Sequence, residues 1–263
     1  MPDPTTLAPV PGFVDLHDRL RAGETLYGSF VGLASPVATQ HNARAGFYWL
    51  IIDLEHGAGT ESELLAQLHA TGATTTAALV RPQSGERLRI GRALDLGAHG
   101  IMVPRVDLPE QAREAISFMR YPPEGTRGLA LSTRGAGLGE LGHADVREIN
   151  RRILGVIQIE SPSAVEHAAE IAAIDGVDVL FVGPTDLSHS LGVPGRFDDP
   201  RYLDALHTVI AAAEAAGKAA GILLYDAAVL PRHRELGFRF IGLGADGAFV
   251  TSGARAMLAA AHA

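Results

Sequence analysis

The chain has 263 residues, 47% of them hydrophobic and 20% charged, with a formal net charge of −8. This composition reads as a globular protein with a substantial core, and its acidity argues against the basic face that a nucleic-acid footprint requires. The lack of any cysteine rules out a disulfide framework, a thiolate nucleophile and a cysteine zinc site, and no apolar run approaches the ~20 residues of a membrane span.

The N-terminal "MPDPTTLAPVPG" lacks the basic-then-apolar pattern of a signal peptide, so a cytoplasmic location is expected. From there, short apolar runs recur along the chain as predicted strands. They are 25–33 "TLYGSFVGL", 48–53 "YWLIID", 75–81 "TTAALVR", 100–104 "GIMVP", 153–160 "ILGVIQIE", 177–183 "VDVLFVG", 219–225 "AAGILLY" and 238–244 "FRFIGLG". Between most of them lie Ala- and Leu-rich stretches with apolar residues three and four apart, such as "ESELLAQLHA" and "DALHTVIAAAEAAGKA". Eight strands alternating with helices predict parallel β-α units, and a closed (β/α)8 TIM barrel is favoured over an open doubly wound sheet. No G-x-G-x-x-G follows the first strand, which argues against a dinucleotide-binding sheet and a nucleotide cofactor. One domain spanning 1–263 is expected. Residues 121–152, rich in Gly, Pro and Arg, read either as a flap over the site or as a surface excursion. The tail, about 251–262, reads as a last helix.

In a barrel, reacting groups stand at the C-terminal ends of the strands. The second predicted strand, "FYWLIIDLEHG", ends on Asp53, Glu55 and His56; the third ends on Arg81, which Pro82 holds extended. On the fifth, Val156, Gln158 and Glu160 share one face while Ile157 and Ile159 share the other. The sixth runs through "GPTDLS", which carries Thr185, Asp186 and Ser188; alone, Asp186 reads as a helix cap. Asp95 lies near the end of the third predicted helix. Two carboxylates from neighbouring strands, Glu160 and Asp186, form a hard oxygen pair suited to magnesium or manganese rather than zinc. Arg81 offers a fixed fork to a carboxylate or developing oxyanion, and His56 is the natural general base because its ordinary pKa lies near neutrality. The other ten histidines read as structural. A lysine Schiff base, the alternative covalent chemistry for a carbonyl substrate, has one candidate: Lys218 is the only lysine, and it precedes the seventh strand, on the barrel's opposite face.

Taken together, "WLIIDLEHG", "VRP", "LDLGAHGIMVPRV", "YPPEGTRG", "IQIESPSAVEH" and "GVDVLFVGPTDLSHSLG", in this order between about Tyr27 and Gly247, resemble the HpcH/HpaI aldolases. The resemblance implies metal-dependent class II cleavage of 4-hydroxy-2-oxo acids to pyruvate, or a close 2-oxo acid such as hydroxypyruvate, and an aldehyde. It implies a barrel of the phosphoenolpyruvate/pyruvate type, assembled as a homo-hexamer (a trimer of dimers) with the last helix exchanged between neighbours. It also implies roles. Glu160 and Asp186 would bind a divalent cation (Mg2+, Mn2+ or Co2+), and Arg81, Gln158 and the main chain at Thr185 and Asp186 would hold the keto acid. His56, oriented by Asp95, would act as base, with Asp53 and, more weakly, Glu55 behind it. Oxaloacetate decarboxylation and acyl-CoA cleavage are the alternative reactions, and a keto-acid-binding barrel is the non-enzymatic one. "VRPQSGERL" and 129–143 "LALSTRGAGLGELGH" depart from the family pattern in regions expected to face the aldehyde.

Overall fold

The computed structural model describes residues 16–262. The signal-peptide reading of the first residues and the domain limits at 1 and 263 lie outside them.

Side-chain alternation along each strand divides the apolar residues into two layers. On β5 (Leu154–Ile159), Val156 points into the barrel while Ile157 and Ile159 point outward to the helices, and β2 (Trp49–Asp53) and β3 (Ala77–Arg81) divide in the same way. With β1 (Leu26–Val31), β4 (Gly100–Val103), β6 (Val179–Val182), β7 (Ala219–Leu224) and β8 (Phe238–Ala245) they form one closed barrel, β1 to β8 in sequence order and every pair parallel. This is the (β/α)8 architecture expected from the alternating runs.

The interior is packed with aromatic rings. Trp49 stacks on Phe240 with centroids 4.0 Å apart, and Phe181 meets both edge-on. Gly28 makes room for this stack, since a Cβ there would stand 2.0 Å from Trp49 Cδ2. The helix Leu16–Arg21 contributes Leu16 to the same interior cluster, and its His17 lies 3.3 Å from Asp178, just ahead of β6. The barrel is thereby filled below and left polar only at its upper rim.

Residues 121–152 follow the helix Pro109–Met119 and lead into β5, which makes them a helix-to-strand connection. Such connections run along the N-terminal face, opposite the rim. Arg134 packs on Gly97, Gly135 lies against Leu94, and Arg127 bonds Asp95, all at or beyond the end of the helix Arg87–Asp95. The segment is therefore an excursion beneath the barrel. It is not a flap over its own chain's strand ends, and 129–143 does not face that rim.

The last helix, Asp246–Ala261, is longer than the predicted tail helix and lies largely exposed, with Phe249, Val250, Met257 and Leu258 open to solvent. None of the described helices is long and apolar enough to cross a membrane.

Candidate active site

The inward positions one step above the apolar interior carry the chemistry. On β2 the inward series Trp49, Ile51 ends on Asp53; on β3, Ala77 and Leu79 lead to Arg81; on β5, Leu154 and Val156 lead to Gln158. The strands pair Asp53 with Arg81 in register. Asp53 Oδ1 and Oδ2 accept from Arg81 Nε and Nη2 at 2.9 and 2.6 Å, a bidentate fork between buried groups. Asp53 Oδ1 also accepts from the N–H groups of Glu55 and His56, which fixes the turn after β2.

With Nε and Nη2 committed, Arg81 presents Nη1 to the rest of the site. This nitrogen lies 3.2 Å from Glu55 Oε2 and 3.4 Å from Gln158 Oε1, and the Phe30 ring lies beside the guanidinium at 5.3 Å. Burial works against the arginine's charge, but Asp53 and Glu55 outweigh it and keep the guanidinium firmly charged.

Gln158 passes the network on, its Nε2 donating to Glu160 Oε2 at 3.2 Å, while the Arg105 N–H donates to Glu160 Oε1 at 2.8 Å. Burial pushes the Glu160 carboxyl up; the Arg105 bond opposes this, and the charges of Asp186 and Glu55 add to the rise. Glu55 is raised by burial as well, against the pull of Arg81 and His56. Gly183, between β6 and the helix Pro184–Ser190, leaves room for the Glu160 carboxylate, because a Cβ there would lie 2.7 Å from Glu160 Oε2 and displace it.

A cavity of about 350 Å³ opens over this layer, lined by Arg81 and Gln158 on one side, Thr185 and Asp186 on another, and Phe30, Leu223 and Tyr225 opposite, with His56 at the edge. The His56 side chain is 67% exposed, with Glu55 Oε2 3.8 Å from its Nε2. Tyr225 was not singled out from the sequence; its place two residues beyond Leu223 on the inward face of β7 is the signal that finds it.

Asp95 does not stand beside His56. Its helix, Arg87–Asp95, runs back down the barrel from the rim, and nine residues at ~1.5 Å each carry its last residue towards the opposite face. There its carboxylate accepts from Arg127 Nη2 at 2.7 Å and lines a separate groove of about 650 Å³ among the outer helices. Within one chain, Asp95 therefore pairs with Arg127 and makes no contact with His56 among the described residues. Lys218, by contrast, lies just ahead of β7, where the sequence put it.

The site's donor set suits a hard divalent cation. Glu160 feels the charge of Asp186, it has spare lone pairs beside the space that Gly183 leaves, and Arg81 is already committed to Asp53. Among the described residues no group of three or more His, Asp or Glu is gathered as a metal cage. A cation held by two carboxylates and water needs no such cage.

A family model described as HpcH/HpaI aldolase/citrate lyase matches residues 26–252. The chain is 40% identical over 232 residues to a hydroxypyruvate/pyruvate aldolase of Delftia acidovorans, covering 86% of this chain and 84% of that one. It is 36% identical over 242 residues to a 4-hydroxy-2-oxo-heptane-1,7-dioate aldolase of Salmonella arizonae, covering 92% of each. Its fold is similar to the crystal structure of an HpcH/HpaI aldolase/citrate lyase family protein from Burkholderia cenocepacia J2315, with a TM-score of 0.90 at 36% identity, covering 94% of this chain and 99% of the other.

Proposed function

Because the chain belongs to the HpcH/HpaI aldolase/citrate lyase family and is a carbon-carbon lyase, we propose that it cleaves 4-hydroxy-2-oxo acids reversibly to pyruvate or hydroxypyruvate and an aldehyde. The observation that carries this reading is the continuous chain Asp53–Arg81–Gln158–Glu160, whose middle members Arg81 and Gln158 line one cavity together with Asp186 and His56. The names of the relatives support the same substrate class.

The residues divide the work by position. Arg81 Nη1 and the Gln158 carboxamide face the cavity and hold the 2-oxo acid, with the main chain at Thr185 and Asp186 on the other side. Glu160 and Asp186 would hold a divalent cation, which supplies Lewis-acid polarisation of the C2 keto oxygen when bound. His56 takes the proton of the 4-hydroxyl; the electrons of that O–H bond form the aldehyde carbonyl, and the C3–C4 bond breaks with its pair left on C3. The resulting pyruvate enolate keeps its negative charge near Arg81, and protonation at C3 releases pyruvate. A preorganised donor such as Arg81 costs no reorganisation when that charge appears, and one such donor is typically worth ~3 kcal/mol.

Assembly follows the same reading. The exposed Phe249, Val250, Met257 and Leu258 on the last helix support a homo-oligomer in which this helix packs on a neighbouring copy.

Proton NMR of pyruvate in deuterated buffer tests the chemistry without knowledge of the aldehyde. Loss of the methyl signal with magnesium or manganese, reversed by excess chelator, is the expected result. No exchange with any divalent metal would remove the aldolase reading.

A further inference from the structure

Three described residues other than glycine have a left-handed backbone: Ala34, Arg105 and Leu138. Arg105, at φ +56°, is the one whose main chain meets a carboxylate of the site, its N–H lying 2.8 Å from Glu160 Oε1. The conformation is unfavourable for a residue with a Cβ, and such outliers persist where the surroundings over-determine them.

The surroundings here do so. Pro104 precedes the residue and Val106 after it is buried. One turn further on, Ser161 Oγ donates to Asp107 Oδ1, and Ser163 Oγ donates to the Asp107 carbonyl at 3.2 Å. Gln111 Oε1 accepts from the N–H groups of Asp107 and Leu108, both at 2.9 Å. The loop after β4 is thus bolted to the loop after β5 at Ser161 and Ser163, immediately beyond Glu160. The Arg105 guanidinium itself is exposed and makes no hydrogen bond or ion pair among the described residues, so side-chain contacts do not account for the backbone.

We propose that Arg105 is a positioning residue whose left-handed main chain, and not its guanidinium, aims an N–H at Glu160 and so sets the carboxylate for a divalent cation. This rests on the metal-dependent reading above. A carboxylate with one oxygen pinned by this N–H and the other by Gln158 is held in one orientation, with its remaining lone pairs left for a cation. Groups that orient a ligand in this way typically change metal affinity 10- to 100-fold when lost.

The test is Mn2+ titration, followed by electron paramagnetic resonance, of chelator-stripped wild type and of Arg105→Gly, Arg105→Asn and Arg105→Val, with melting temperatures measured alongside. Glycine and asparagine accept the left-handed region and valine does not. The expected result is binding within ~2-fold of wild type for Gly and Asn and weakening by ~10-fold or more for Val. Equal affinity in the Val protein, or a Gly protein as weak as Val, would overturn the proposal. Should the Val protein not fold, hydrogen exchange of the wild-type Arg105 amide decides: slow exchange supports the bond to Glu160, and exchange at the rate of an open loop overturns it. A wild type that binds no Mn2+ removes the metal reading and the proposal with it, whereas a wild type that binds while Val matches it removes only the proposal.

Discussion

Asp53 and Arg81 form the most constrained pair in the site, and each depends on the other. Replacing Asp53 with alanine leaves a buried guanidinium with only its Nη1 contacts to Glu55 and Gln158, and breaking a buried pair from one side costs ~3–5 kcal/mol. Asp53→Ala should therefore lower the melting temperature markedly in calorimetry and abolish pyruvate methyl exchange. His56 is the opposite case. Its ring is exposed and holds no packing, so His56→Ala should leave the melting temperature within about a degree or two, as surface substitutions generally do, while methyl exchange falls ~10²- to 10⁴-fold. Equal damage to both properties in the His56 variant would count against its role as base. Both residues were legible in the sequence because an apolar strand does not end on a run of ionisable groups without a use for them. Which of them lies buried was not legible: Asp53 falls on an inward strand position and His56 lies three residues into the turn.

At the level of elements, the strand-helix alternation was readable between most of the strands, and all eight strands lie where the apolar runs placed them. The close approach of β1 to β2 was not, because it depends on a side chain from the neighbouring strand. Gly28 lies against the six-membered ring of Trp49, and filling a packed core typically costs ~1–3 kcal/mol. Gly28→Ala should be destabilised by at least that much in chemical denaturation, with the loss confined to folding rather than to the affinity for substrate. His99, before β4, supplies a second test. Burial lowers its pKa; a bond with Ala78 opposes this and the Arg134 charge reinforces it. Its Nδ1 lies 3.1 Å from the Ala78 N–H. The folded state therefore binds this proton less readily than the unfolded chain, whose histidine titrates near ~6.5, so stability falls as pH drops below that value and recovers above it. His99→Gln should show a flatter dependence of unfolding free energy on pH in that acidic window. An unchanged slope would assign the acid sensitivity to other groups.

For the whole molecule, the last helix and the groove around Asp95 raise the question of assembly. A solvent-exposed run of Phe249, Val250, Met257 and Leu258 is more apolar surface than a free helix needs. Met257→Glu with Leu258→Glu should shift the protein to a smaller species in light scattering at unchanged helical content by circular dichroism. If the species distribution stays the same, this helix is not the contact. The sequence by itself determined which side chains share an inward face, since a two-residue period is a local property that needs no neighbour. It therefore made Gln158 and Glu160 readable as a pair, and Arg81 as the end of its own series. Only the tertiary structure decided that Asp53 meets Arg81, that Arg105 turns its N–H to Glu160, and that Asp95 is carried to the far end of the barrel. Those outcomes depend on the register between strands, on loops bolted to one another, and on helices that run against the strands. All three are set by closure of the barrel and by no single stretch of chain.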